Sequence, residues 1–402
     1  MKAYSIKSEK KIEPFNDHPR DCLIGNQRLA DIQRAVLKDL GIELISVSDM
    51  TQIQDSAEHI VFGDTVLFSQ KLLQQFIVLS RKAGTPSVCA LKPGLFTLRS
   101  IIATQDVAIH SNYVEFKLRY IPAKEFSNKQ EIPMVIDPDQ LDAILPLPEH
   151  LLKGHDNRIP ITDMYLFQID HWANIWSANI SFLLAVLARL MKAPKTRFLI
   201  PALKARSLNR WKILHQINKS GASCDIHPTA YVEGSTIGDN VMIGANSVVR
   251  LSHIADGVKI GSNSTVECSV IGDNCAIDSN AATFCSVLYP GAATSTRQIL
   301  ASLCGRDTFI ADGVFLADYR FDGKSISVMK DGNLTDTQSV GLGSCLGHGV
   351  YLGAGCVVAP GRAISNGLRL VPEKTRVIEN VKSDGEIPGY RYIAKPNDPD
   401  MH

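Results

Sequence analysis

Between Gly234 and Phe284, aliphatic residues recur at Ile237, Ile243, Val249, Ile254, Ile260, Val266, Ile271 and Ile277, spaced six, six and five apart and then six, six and five again. An amphipathic helix needs apolar positions about every 3.6 residues and a half-buried strand every second residue, so neither fits. In register the stretch reads GSTIGDNVMIGANSVVR, LSHIADGVKIGSNSTVE and CSVIGDNCAIDSNAATF, a 17-residue repeat. One aliphatic per hexad among Gly, Asn and Asp predicts a parallel β-helix. Three flat strands make a coil, the aliphatics stack inside at about 4.8 Å per layer, and the corners take residues that tolerate positive φ. After Leu288 the hexads become irregular. Residues 318–339 carry two Asp-Gly turns and predict a hairpin loop projecting from the helix. The hexads resume in LGSCLGHGVYLGAGCVVAPGRAI and end near Val371-Pro372.

The chain before the repeats alternates between periods. Leu29, Ile32, Ala35, Val36 and Leu40 form a helical stripe over Asn26–Leu40, closed by Gly41. Strands are expected at Ile42–Val47, at Glu58–Phe62 ahead of Gly63-Asp64, at Ser87–Leu91 and at Tyr113–Tyr120, with a second helix over Ser69–Ala83. This order predicts an α/β layered domain with a partly parallel sheet over residues 1–160. The Pro- and Leu-rich stretch Asp139–Pro160 reads as a connection. A bridging segment, 161–222, is expected to hold a strand at Asp163–Ile169, a long helix at His171–Met191 and a basic helix at Ala202–Ile217. The β-helix then spans 223–372, and a polar tail, 373–402, wraps or frays.

Composition narrows the possibilities. The 402 residues carry a formal charge of +1 with interspersed signs, which gives no footprint for nucleic acid or an anionic membrane. The longest apolar run, Ile180–Leu190, is interrupted by Arg189 and shorter than a membrane span. MKAYSIKSEKKIEPF has no apolar segment of the secretory kind, so a cytoplasmic protein is expected. The nine Cys residues include no CxxC pair, and no His/Cys cluster has ligand spacing. Cys268 and Cys285, one repeat apart, are expected as small apolar side chains stacked in a reduced interior.

The repeats resemble the left-handed β-helix of hexapeptide-repeat transferases over roughly residues 224–372. The whole order of domains is similar to sugar-1-phosphate nucleotidylyltransferases fused to acyltransferase domains, such as the bifunctional uridylyl/acetyltransferases of amino-sugar metabolism and their archaeal relatives. GDTVLFS after a strand, FQIDHWANIWSANISFLLAVL with Asp170, Ala178 and Asn179, and FLADYRFDGK…VMKDGNLTDT…LGSCLGHGVYLG carry the similarity. The chain departs from these families in two places. IEPFNDHPRDCLIGNQ stands where they have a Gly-rich phosphate loop, and Phe321 stands where their acetyltransferases have a catalytic His. The N-terminal domain is also shorter than theirs.

The resemblance implies a homotrimer that moves an acyl group from acyl-CoA, for instance acetyl-CoA, to a sugar, nucleotide-sugar or other small polar acceptor. It also implies, as alternatives, a nucleotidylyltransferase with Mg²⁺ on Asp64, or a non-catalytic assembly or regulatory protein. A lone Asp after a strand also serves as a turn or cap residue. His348, flanked by Gly347 and Gly349 at a corner, is the candidate base for acyl transfer, or else an exposed turn residue. Gly347, Gly349 and Gly353 are candidates to line a slot for the CoA arm, and tight packing between subunits accounts for them equally. Asp318, Arg320, Asp322 and Lys330 form a charged loop that could hold a polar substrate, or simply solvate a hairpin. Trp172 and Trp176 are expected to pack. The basic run from Lys192 to Lys212 could face phosphates or solvent. Neither the acceptor nor the acyl group is named by the sequence.

Overall fold

The computed structural model describes residues 1–123, 130–144 and 154–373, except the side chains of Lys195, Arg210 and Trp211. The expected tail from 374 onward and much of the 139–160 connection lie outside the described residues. The N-terminal sheet holds β1 (Lys2–Ile6), β2 (Glu43–Val47), β3 (His59–Gly63), β4 (Ser87–Leu91), β5 (Val114–Ile121) and β6 (Ile132–Ile136), in the order β6-β4-β5-β3-β1-β2. β1 runs parallel to both of its neighbours, β2 and β3, while β5 runs antiparallel to β3 and β4. Helices α1 (Leu29–Asp39) and α2 (Gln70–Ala83) match the two expected stripes. α2 starts at Ser69, whose hydroxyl accepts the Leu72 N–H, and stops at Gly84 with φ +60°.

Three expectations change. The strand foreseen over Asp163–Ile169 is confined to Leu166–Gln168. The helix foreseen over Ala202–Ile217 is two short pieces, Leu199–Ala205 and Arg210–His215, split where Arg206 turns to φ +46°. The long bridging helix α3 (Trp172–Met191) is apolar enough, by length and composition alone, to span a membrane, because its charge is concentrated at its end. Its Trp172, Ala173, Ile175, Ala178 and Ala185 instead lie in the core shared by both domains.

From Lys219 the chain winds into a parallel β-helix of three sheets. On the first face Thr236 aligns with His253, His253 with Val270, and Val270 with Val287, each 17 residues on. The inner aliphatics Ile237, Ile243, Val249, Ile254, Ile260, Val266, Ile271 and Ile277 are all buried. Asn240, Asn246, Asn263, Asn274 and Asn280 take positive φ at corners, as the composition demanded. Among the described residues the last laddered strand is Arg369–Leu370.

The first face is covered. Its outward residues Val270, Val287, Leu303 and Cys345 share one apolar core with the N-terminal domain. The indole N–H of Trp176 donates to the Cys285 carbonyl at 2.7 Å, and Asn26 donates to the Ile271 carbonyl at 2.9 Å. The foreseen hairpin is present as Ser327–Lys330 paired with Asn333–Asp336 around Asp331-Gly332, both at positive φ. It docks rather than projects: Ile326 and Val328 are buried in the shared core, and His171 holds the Met329 carbonyl at 3.0 Å.

Candidate functional site

β1 is followed in the chain by β2 on one side and β3 on the other, so the direction of winding reverses beside it. The crevice outside the carboxyl ends of strands at such a point is the usual ligand site of open α/β sheets. Lys7 and Ser8 leave β1 there, and Asp64 leaves β3. Asp64 accepts the Ser8 N–H at 3.0 Å through one oxygen and pairs with Arg20 at 3.0 Å through the other. Arg20 also reaches the Ser8 carbonyl at 3.2 Å. Two residues on, Lys10 pairs with buried Asp170 at 3.3 Å, whose second oxygen accepts the Asp106 N–H. The loop Lys7-Ser8-Glu9-Lys10-Lys11 thus lies between two anchored carboxylates, and three of its five residues are lysines where a Gly-rich loop would offer backbone N–H groups.

The hairpin adds to this crevice. Lys330 lies close enough to Asp106 to favour its ionised form, after Lys117, whose hydrogen bond is the largest cause of that lowering. His171, the N-cap of α3, is held neutral: burial pushes its pKa down to about 4, against the bond to the Met329 carbonyl. Its Nδ1 accepts the Ala173 N–H, which leaves Nε2–H to donate to that carbonyl. Of the loop residues singled out in the sequence, Lys330 therefore joins the crevice. Arg320 and Asp322 pair with each other in an exposed turn elsewhere, beside fully exposed Phe321. Asp318 is half-buried, and that burial raises its pKa.

Mg²⁺ on Asp64 does not fit this arrangement. Both carboxylate oxygens are engaged, a guanidinium sits at 3.0 Å, and among the described residues no group of three His, Cys, Asp or Glu side chains is placed for a metal.

His348 lies at the seam between the domains. Its Nδ1 accepts the Arg306 backbone N–H at 2.9 Å, so the proton of the neutral ring sits on Nε2, 3.2 Å from Asp17 Oδ2. The Arg306 guanidinium reaches the same oxygen at 2.7 Å. Phe15 and Tyr289 pack against the ring at centroid distances of 4.9 and 6.2 Å. Both ring nitrogens thus have partners at the seam. The neighbouring backbone donors are spent as well: His348 N–H on Asn366 Oδ1, Gly349 on the Arg306 carbonyl, Gly347 on Ile364 and Gly353 on Leu370. A Cβ on Gly347 would lie 2.5 Å from Asn366 Oδ1, so that glycine serves coil stacking rather than an open slot. Sequence reasoning missed Phe15, Asp17, Arg20 and Arg306. The run FNDHPRD was read only as a missing glycine loop, although its charges were the signal.

No curated protein matches the chain. Residues 216–321 match the family described as GMPPB C-terminal domain. This similarity covers about a quarter of the chain, begins just before the first coil and ends inside the inserted loop. The similarity therefore lies in the β-helix and does not extend to the N-terminal sheet. Among solved structures, a Bacillus cereus protein named provisionally as an acetyltransferase is 15% identical, covering 39% of this chain and 80% of that one, with a TM-score of 0.19. An overlap that slight carries no information on chemistry.

Proposed function

We propose that the chain is a transferase acting on phosphorylated substrates, with nucleotidyl transfer as its reaction. A sugar 1-phosphate oxygen attacks the α-phosphorus of a nucleoside triphosphate, and pyrophosphate leaves. The observation that carries this is the basic loop after β1 at the point where the winding of the sheet reverses. Lys10 and Arg20 are held there by Asp170 and Asp64, exposed Lys7 and Lys11 flank Lys10 in the same loop, and Lys330 on the hairpin acts electrostatically on Asp106 and His171 beside them. Fixed cations suit phosphates whose charge grows as pyrophosphate departs. The match to the GMPPB C-terminal domain supports the same class.

The test is pyrophosphate release from UTP or dTTP, supplied as Mg²⁺ complexes, with glucose 1-phosphate. The double variant Lys7→Gln/Lys11→Gln removes two exposed charges without orphaning a buried carboxylate. It should raise KM for the nucleotide roughly tenfold, on the scale of one charge-assisted bond. No pyrophosphate above background, together with no shift in thermal midpoint on adding the nucleotide, would sink the proposal.

A second reading is acyl transfer from acyl-CoA in a groove between subunits of a trimer. It is supported by a hollow of about 320 Å³ on the second face of the β-helix, lined by Met242, Ile260, Ala276, Ala293 and Phe309. Met242, Phe309 and Tyr351 leave apolar surface exposed along that face. Thiol release from acetyl-CoA with a panel of amino sugars checks it. Because His348 is committed to the seam, His348→Ala separates its two candidate roles: unchanged thiol release with lowered stability is the result expected of a strut.

A further inference from the structure

Cys268 and Cys285 are not interior residues. They occupy equivalent corners of successive coils, just past the paired residues Glu267 and Phe284, and both are partly exposed. Both adopt left-handed backbone, φ +48° and +47°, in a column with Gly234, Leu251 and Ala301. The column is tied layer to layer: Cys268 N–H donates to the Arg250 carbonyl, and Cys285 N–H to the Glu267 carbonyl, each at 3.0 Å. Within this column one layer can touch the next: a Cβ on Gly234 would lie 3.0 Å from Leu251 Cδ2. Adjacent strands are about 4.8 Å apart. That lies inside the roughly 4.4–6.8 Å Cα separation that a disulfide spans without backbone movement. The two thiols are close enough for each to shift the ionisation of the other.

We infer that Cys268 and Cys285 form a reversible redox site, a dithiol that closes to a disulfide linking two successive coils beneath α3. The inference is independent of the proposed function. Cys268 is the attacking group: the neighbouring Cys285 favours its thiolate, against burial, while the Cys285 thiol is pushed up by Cys268 and by burial. The other buried thiols are poor competitors. Burial raises Cys275 and Cys304 to about 12, and Cys22, Cys89 and Cys345 are raised as well.

The oxidant is a small-molecule disulfide. Cys268 thiolate attacks one of its sulfurs and expels one thiolate, leaving a mixed disulfide. Cys285, losing its proton, then attacks the Cys268 sulfur and expels the second thiolate. Two protein S–H bonds and one S–S bond become one protein S–S bond and two small thiols. The Cys285 carbonyl accepts the Trp176 indole, so closure takes place directly behind a contact of the bridging helix.

The experiment incubates the folded full-length chain with oxidised glutathione, quenches and denatures it, counts thiols, and maps linked peptides without reduction. The expected result is loss of two of the nine thiols, a single linked peptide pair containing Cys268 and Cys285, and reversal by dithiothreitol. Cys285→Ser should trap one glutathione on Cys268. Cys268→Ser should leave no linkage and no trapped adduct at 285. Retention of all nine thiols overturns the inference, as does linkage of another pair, or an adduct on Cys285 in preference to Cys268 in the single variants.

Discussion

Asp17→Asn probes the seam between the two domains. The Asp17 carboxylate accepts from Arg306 at 2.7 Å and from His348 at 3.2 Å. Replacing a charged acceptor by a neutral one forfeits about 1 kcal/mol per bond when the site is dry. Asp17 is 22% exposed and Arg306 34%, so screening takes back part of that. The expected loss is about 1–2 kcal/mol. Urea unfolding followed by tryptophan fluorescence measures it, since Trp172 and Trp176 sit on the helix beside the seam. Burial opposes ionisation of Asp17, but the hydrogen bonds from His348 and Arg306 outweigh it, so its pKa lies below the ordinary 3.8. A carboxylate with a depressed folded pKa adds stability above its unfolded pKa and loses it as pH falls through the folded one. The gap between wild type and variant should therefore hold steady from pH 7.5 to 5 and close below 3.8. A gap under roughly 0.3 kcal/mol at neutral pH, or one undiminished in acid, refutes the assignment of this cluster as an ionic clamp.

Four further outcomes are expected. Burial lowers His171 from 6.5 to about 4, so the neutral ring supports the docked hairpin fully above pH 6.5, and that support fades as pH falls towards 4. Hydrogen exchange at 326–337 should accelerate over that window and lose its pH dependence in His171→Asn. Gly332→Ala, at φ +79° in the hairpin turn, should cost about 1 kcal/mol and raise proteolytic nicking at the turn without altering the β-helix circular dichroism. Ile260→Ala, in the interior of a regular coil, should cost about 2–5 kcal/mol in urea unfolding; a loss below 1 would mean the coils collapse around the gap. Trp176→Phe forfeits the bond to the Cys285 carbonyl and should cost about 1 kcal/mol, whereas Trp176→Ala should cost several times more through lost packing.

The coils were legible because each aliphatic repeats in an environment that also repeats: the inner position of one layer meets the inner position of the next. The N-terminal sheet was legible only at its margins. Its inner strand β1 was missed because it is covered on both faces and so shows no alternation, leaving Ala3, Tyr4 and Ser5 buried between two lysines. The Asp-Gly turn of the hairpin could be read locally, but its docking depends on Ile326 and Val328 meeting a surface encoded far away. The surroundings of His348 were hidden for the same reason. Two flanking glycines suggested an open corner, yet Phe15 and Asp17, more than 300 residues earlier, close it. The crevice was half legible: Asp64, Asp170 and Lys330 were singled out, but the lysines after β1 acquire meaning only once β1 is known to lie between β2 and β3.

The insertion that carries Lys330 leaves the β-helix after Leu316 and returns before Cys345, while the ladder closes across it, Leu303 on Cys345 and Cys304 on Leu346. Hydrogen bonding from layer to layer makes the scaffold indifferent to how much chain is spent at one corner. The hairpin is therefore a cassette. Its exposed tip can change in length and charge, or be exchanged by an engineer, without rewriting the stack, so long as Ile326 and Val328 stay seated in the shared core.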